Sequence, residues 1–132
     1  MYDQGLAIEI LTQILSSART ILRRFEPIQS IADFTDSETG LEKLDAICIQ
    51  LIAIGEALKK LDKITHSSLL RNYPHVDWKK VMGMRDIISH HYFDLNAEAI
   101  FFVCRDHVQE LANTIRIIIK DQSASQLPPD QN

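Results

Sequence analysis

The stretch LAIEILTQILSSARTILRRF, residues 6–25, decides what kind of molecule this is. Ala7, Leu11, Ile14, Ala18, Ile21 and Phe25 recur at alternating spacings of four and three, the seam by which one helix packs lengthwise on another. Pro27 stops that helix, and the polar run from Asp33 to Gly40 reads as a loop. A second long helix is expected from about Leu41 to Lys63, capped by Asp36 or Ser37. Its stripe of Leu41, Leu44, Ile47, Leu51, Ile54, Leu58 and Leu61 is widened by Ile49 and Ile52, so it needs more than one neighbour. Gly55 within it costs about 1 kcal/mol against alanine, a loss that makes sense where another backbone must come close. Thr65 to Tyr73 allows a short helix before Pro74, and Asp77 can cap another from Trp78. The last long helix is expected from after Asn96 to about Lys120, burying Ile100, Cys104, Val108, Leu111, Ile115 and Ile118. The sequence therefore predicts an all-α fold, an antiparallel bundle of four to five helices over residues 1–120, with a loose tail at 121–132.

Composition supports a single helical domain: 132 residues, 45% hydrophobic, with only 4 glycines and 4 prolines. Continuous apolar runs such as Ile47 to Ile54 fall short of the roughly 20 residues that cross a bilayer, so no membrane association is expected. Cys48 and Cys104 lie inside apolar helical patterns and offer no disulfide framework, which fits a reducing, cytoplasmic setting. A net charge of −4 argues against nucleic-acid binding through bulk electrostatics. Its distribution is uneven, however. Lys59, Lys60, Lys63, Arg71, Lys79, Lys80 and Arg85 face only Asp62 and Asp77 in that segment, a basic strip that either holds phosphates or simply solvates two helix faces.

Chemistry concentrates in WKKVMGMRDIISHHYFDLN, residues 78–96. At about 100° per residue, with Arg85 at zero, Ser89 falls near 40°, Asp86 near 100° and His90 near 140°. Ile87, His91 and Ile88 fall on the opposite, apolar side, which makes His91 the structural histidine and His90 the working one. Tyr92, two turns after Arg85, returns to the edge of the polar arc and is otherwise an ordinary core-edge tyrosine. Arginine and histidine on one face suit cleavage of an RNA phosphodiester. Histidine can take the proton of a ribose 2′-hydroxyl or supply one to the leaving oxygen, and arginine presents a planar fork to the phosphate. Neither role calls for a metal or other cofactor. Spacing alone leaves a purely structural His90 open.

Arg85, His90 and Tyr92 together form an R-x4-H-x-Y pattern that resembles the HepT-like toxins, a branch of the HEPN helical-bundle ribonucleases. Ile54-Gly55-Glu56-Ala57 is similar to that family's IGEA segment, and Tyr73-Pro74, Trp78, Gly83-Met84 and Tyr92-Phe93 fall where the family has similar residues; the resemblance spans roughly residues 6–120. It implies a homodimer whose paired motifs form one RNA-cleaving cleft, acting as the toxin of a toxin–antitoxin pair, with tRNA the family-level substrate. Arg85 and His90 carry over as the catalytic pair and Asp86 as the supporting polar residue after the arginine. The implied partner is a nucleotidyltransferase antitoxin of the MntA type that attaches AMP to the motif tyrosine, here Tyr92. Bulk and phosphate charge at that position would oppose entry of an RNA phosphate. Glu56 is expected to form a salt bridge within the bundle, or else to line the cleft.

Two other classes stand beside this reading. A metal hydrolase is disfavoured because the sequence has no H-E-x-x-H or Cys/His cluster. A non-catalytic helical adaptor, binding its nucleotidyltransferase or a nucleotide, would use the polar arc for recognition alone.

Overall fold

The computed structural model describes residues 2–90 and 97–125, and every regular element among them is helical. In chain order these are α1 (Gln4–Phe25), α2 (Ala32–Thr35), α3 (Glu38–Ile64), a 3-10 turn (Leu70–Asn72), α4 (Trp78–Met82), α5 (Met84–His90), α6 (Ala97–Asp106) and α7 (Val108–Ser125). The all-α bundle is as the sequence predicts. Its helices are more finely divided than the four to five expected.

Helix α1 starts where the Asp3 carboxylate accepts from the amide of Leu6 at 3.0 Å, and ends with Arg23 and Arg24 against its negative pole. Its buried face, Ala7, Ile10, Leu11, Ile14, Leu15, Ala18 and Ile21, packs on α3 and α7. By length and composition α1 could cross a membrane, but that apolar face is the one the bundle covers. Antiparallel pairing is fixed at both ends. The Tyr2 hydroxyl donates to Gln122 near the end of α7, while Arg24 donates to the Ala46 carbonyl near the start of α3.

The loop expected over Asp33 to Gly40 is largely helical instead: α3 begins at Glu38, and α2 runs into the stretch from Ala32 as a single turn held by the fully buried Phe34, whose ring lies 6.1 Å from Phe25 and 6.5 Å from Phe101. Burying such a ring contributes roughly 1.5–3 kcal/mol, enough to order four residues whose propensity alone would not. Ser37, one of the two expected caps, accepts from the Gly40 amide at 3.0 Å and starts α3. A side chain at Gly40 would strike the Asp33 carbonyl.

The single helix expected from Asn96 onward is divided at His107 into α6 and α7. Its hydrogen bonds run through the joint, from the His107 amide to Val103 at 2.9 Å and from Leu111 to His107 at 3.0 Å. Helix α7 also continues past Lys120 to Ser125, with Gln122 buried. Between α3 and the 3-10 turn, His66 and Ser67 both take positive φ, 53° and 58°, while Thr65 closes α3 through its hydroxyl on the Leu61 carbonyl at 2.9 Å.

Candidate active site

Helices α4 and α5 lie across the middle of α3, and the crossing is close because Gly55 has no side chain. A Cβ there would sit 2.9 Å from the Val81 carbonyl oxygen and 3.3 Å from that of Met82. The close approach that the sequence led us to expect at Gly55 is therefore made by the end of α4. Helix α4 is capped by Asp77, whose carboxylate accepts from the Lys80 amide at 3.1 Å. Trp78 is buried and donates from its indole nitrogen to the Tyr73 carbonyl at 2.9 Å.

Gly83 separates α4 from α5, and the chain resumes with Met84 and Ile88 buried against the bundle. Arg85, Asp86, Ser89 and His90 are all exposed, the polar arc that the wheel predicts. Ile87, placed by the wheel on the apolar side, is instead 50% exposed. Met84 and Ile88 centre the buried face of so short a helix, and Ile87 lies about 80° from their midpoint, beyond its edge. His91 and Tyr92 lie outside the described residues.

The carboxylate that meets Arg85 is that of Glu56, brought from α3 by the Gly55 crossing: Oε1 is 3.6 Å from Nη1 of Arg85. The same oxygen is 3.6 Å from Nζ of Lys59, one turn along α3. Glu56 therefore makes the ion pair that sequence reasoning favoured for it. Its partner is the candidate catalytic arginine, which connects the two roles considered for it. The i, i+3 spacing of Glu56 and Lys59 signals their contact in the sequence; the contact with Arg85 is long-range and leaves no local signal. Every cation of the basic strip, Lys59, Lys60, Lys63, Arg71, Lys79, Lys80 and Arg85, is exposed. Among the described residues no three His, Cys, Asp or Glu side chains are grouped as metal ligands would be.

Arg85 and His90 thus both stand exposed on one short helix, and Lys59 of the basic strip reaches the same Glu56 oxygen as Arg85. The sequence model of the family described as "Ribonuclease HepT-like" matches residues 8–118. The chain belongs to that family. It is 35% identical over 102 residues to "Putative RNase MJ0127" of Methanocaldococcus jannaschii, covering 73% of this chain and 81% of that protein. It is similar too to "Putative RNase MJ0125" of the same organism, 32% identical over 56% of this chain and 59% of that one. A more distant relative, "Putative RNase TTE0752" of Caldanaerobacter subterraneus, is 29% identical over 85% of this chain and 93% of its own length. No solved structure matches the chain.

Proposed function

We propose that this protein is a metal-independent endoribonuclease, the toxin of a toxin–antitoxin pair, with Arg85 and His90 as its catalytic residues. The observation that carries the reading is the exposure of both Arg85 and His90 on α5, which Met84 and Ile88 anchor, in a chain of the HepT-like ribonuclease family. His90 takes the proton of the ribose 2′-hydroxyl as that oxygen attacks the adjacent phosphorus. Arg85 holds the phosphate oxygens on which charge accumulates. One histidine and one arginine supply half of an efficient site, since the leaving 5′-oxygen also needs a proton. A second copy of the chain across a two-fold axis supplies the other half, so the active species is a homodimer. Asp86, exposed beside Arg85, supports the site by orienting it toward RNA, for which tRNA is the first substrate to try.

Control is assigned to Tyr92 and an MntA-type nucleotidyltransferase. The tyrosine hydroxyl attacks the α-phosphate of ATP, pyrophosphate leaves, and the attached AMP puts negative charge beside the phosphate site. The argument is one of sequence: Tyr92 stands two residues after His90 in the R-x4-H-x-Y pattern.

The test is cleavage of RNA by the purified protein in the presence of a chelator. His90→Ala is expected to lose at least about 10²-fold in rate, and Tyr92→Phe to remain active after incubation with the nucleotidyltransferase and ATP while the parent is silenced. His90→Ala cleaving as fast as the parent would remove the mechanism. Binding of the nucleotidyltransferase without any cleavage would favour the adaptor reading.

A further inference from the structure

The basic strip and the candidate catalytic helix meet at one atom. Oε1 of Glu56 is shut off from solvent and accepts no hydrogen bond among the described residues. It stands 3.6 Å from both Arg85 and Lys59, beyond the 2.7–2.9 Å typical of a charge-assisted hydrogen bond. Because the two cations approach the same oxygen, they lie within twice that distance of one another. All three side chains are also reachable, at 57% exposure for Arg85 and 43% each for Glu56 and Lys59. Ion pairs this long between half-exposed side chains hold their members weakly, although the shared oxygen itself is covered. A phosphate offers the arginine fork a bidentate partner that the Glu56 oxygen, at its present distance, does not.

We propose that Lys59 is a further RNA-binding residue, forming with Arg85 a two-cation clamp on the RNA backbone, and that the Glu56 carboxylate occupies this clamp until RNA phosphate displaces it. The inference rests on the ribonuclease reading above and adds to it a binding residue and an internal competitor. The arrangement is built into rigid elements. Glu56 and Lys59 are one turn apart on the 27-residue α3, and Lys63, one turn further on the same side and also exposed, extends the track away from α5. Entry of RNA exchanges one carboxylate for phosphates, so the clamp never stands as two uncompensated cations, and unspecific anions meet a competitor already in place.

The experiment is binding of a fluorescein-labelled single-stranded RNA, followed by anisotropy over a range of salt concentrations, to full-length protein carrying His90→Ala so that the probe stays intact. In that background Lys59→Gln is expected to weaken binding several-fold and to lower the slope of log K against log salt by about 0.7, the value for one phosphate contact on a single strand. Glu56→Gln is expected to tighten binding by roughly threefold to tenfold, since a like charge a few ångströms from the phosphates is removed. Lys120→Gln, an exposed cation on α7, is expected to change neither quantity. Lys59→Gln matching its parent in both affinity and slope overturns the clamp, and weaker binding by Glu56→Gln overturns the competitor role in favour of one that positions Arg85. If the unmutated protein neither binds nor cleaves RNA, the ribonuclease reading fails and takes the clamp with it. If it cleaves RNA and Lys59→Gln leaves KM unchanged, the clamp alone fails.

Discussion

Replacing Gly55 with alanine adds one methyl group at the point where α3 and the end of α4 cross, and two effects then oppose each other. Alanine is the better helix former by about 1 kcal/mol, and α3 continues for several residues on either side of position 55. Against this, the new Cβ would lie 2.9 Å from the Val81 carbonyl oxygen and 3.3 Å from that of Met82. These are backbone atoms, so no flexible side chain can swing clear, and the crossing must open by roughly 0.5 Å to restore an ordinary contact. Overpacking of this kind costs about 1–3 kcal/mol, which outweighs the propensity gain and leaves a net loss of about 1 kcal/mol. With an m-value of about 1.5 kcal/mol/M, the urea midpoint followed by circular dichroism should fall by roughly 0.7 M. Gly83→Ala is the matched control. Its φ is −81°, an added Cβ meets nothing nearer than 3.5 Å, and reduced freedom of the unfolded chain should stabilise the protein by about 0.4–1 kcal/mol. A Gly55→Ala protein with a midpoint equal to or above that of the parent would refute the argument that this glycine is required by the crossing.

Two further predictions concern groups that burial has shifted. The Tyr73 hydroxyl is held up to about 12, first by burial and then by its hydrogen bond to Asp121 at 2.5 Å. Its folded pKa thus lies above the ordinary value of 10.0, so the stability it contributes is complete below pH 10 and lost as pH rises toward 12. Tyr73→Phe should flatten that part of the stability–pH curve measured by urea unfolding, and an unchanged slope would remove the assignment. Burial pushes the Cys48 thiol up to about 11 and that of Cys104 up to about 12, with smaller contributions from Asp45 and Cys48 respectively. Both should resist alkylation at pH 8 in the native protein and react at the ordinary thiol rate in urea; rapid labelling of the native state, read by intact mass, would contradict their burial.

The long helices were legible because each carries its own packing instruction. The α1 seam, most of the α3 stripe and the Ser37 cap act within a few residues of chain, and the polar arc of α5 follows from helical geometry alone; Leu41 and Ile49, counted in the α3 stripe, are instead 44% and 64% exposed. Features that depend on a distant partner were hidden. Phe34 sits in a run of polar residues and makes a helix of α2 only because Phe25 and Phe101 enclose its ring. Ile87 looked apolar and therefore inward, but a seven-residue helix packed mainly on α3 buries only the arc around Met84 and Ile88. Gly55 announced that some backbone must pass close by without saying which. Glu56 likewise could be read as an ion-pairing residue, while the identity of Arg85 as its partner depended on where α5 comes to rest.

That dependence ties the stability of the fold to the chemistry proposed for it. A helix as short as α5 does not persist alone in water, because nucleation costs more than a few hydrogen bonds return. It is held by the burial of Met84 and Ile88, by hydrogen bonds that the Asp86 and Ile87 amides donate to the Gly83 carbonyl at 3.1 and 3.2 Å, and by the α3 surface beneath it. Arg85 and His90 therefore have no geometry of their own. Their placement relative to Glu56 and Lys59 is inherited from the crossing at Gly55, one residue away from Glu56 on α3. A perturbation that opens this crossing moves the arginine away from the carboxylate and the lysine together, so the Arg85–Lys59 separation should change before the bundle unfolds. Gly55→Ala should accordingly depress RNA binding at urea concentrations where circular dichroism still reports a fully helical protein, whereas Gly83→Ala should not. Loss of binding that coincides with global unfolding in both variants would show that the crossing stabilises the bundle without setting the site.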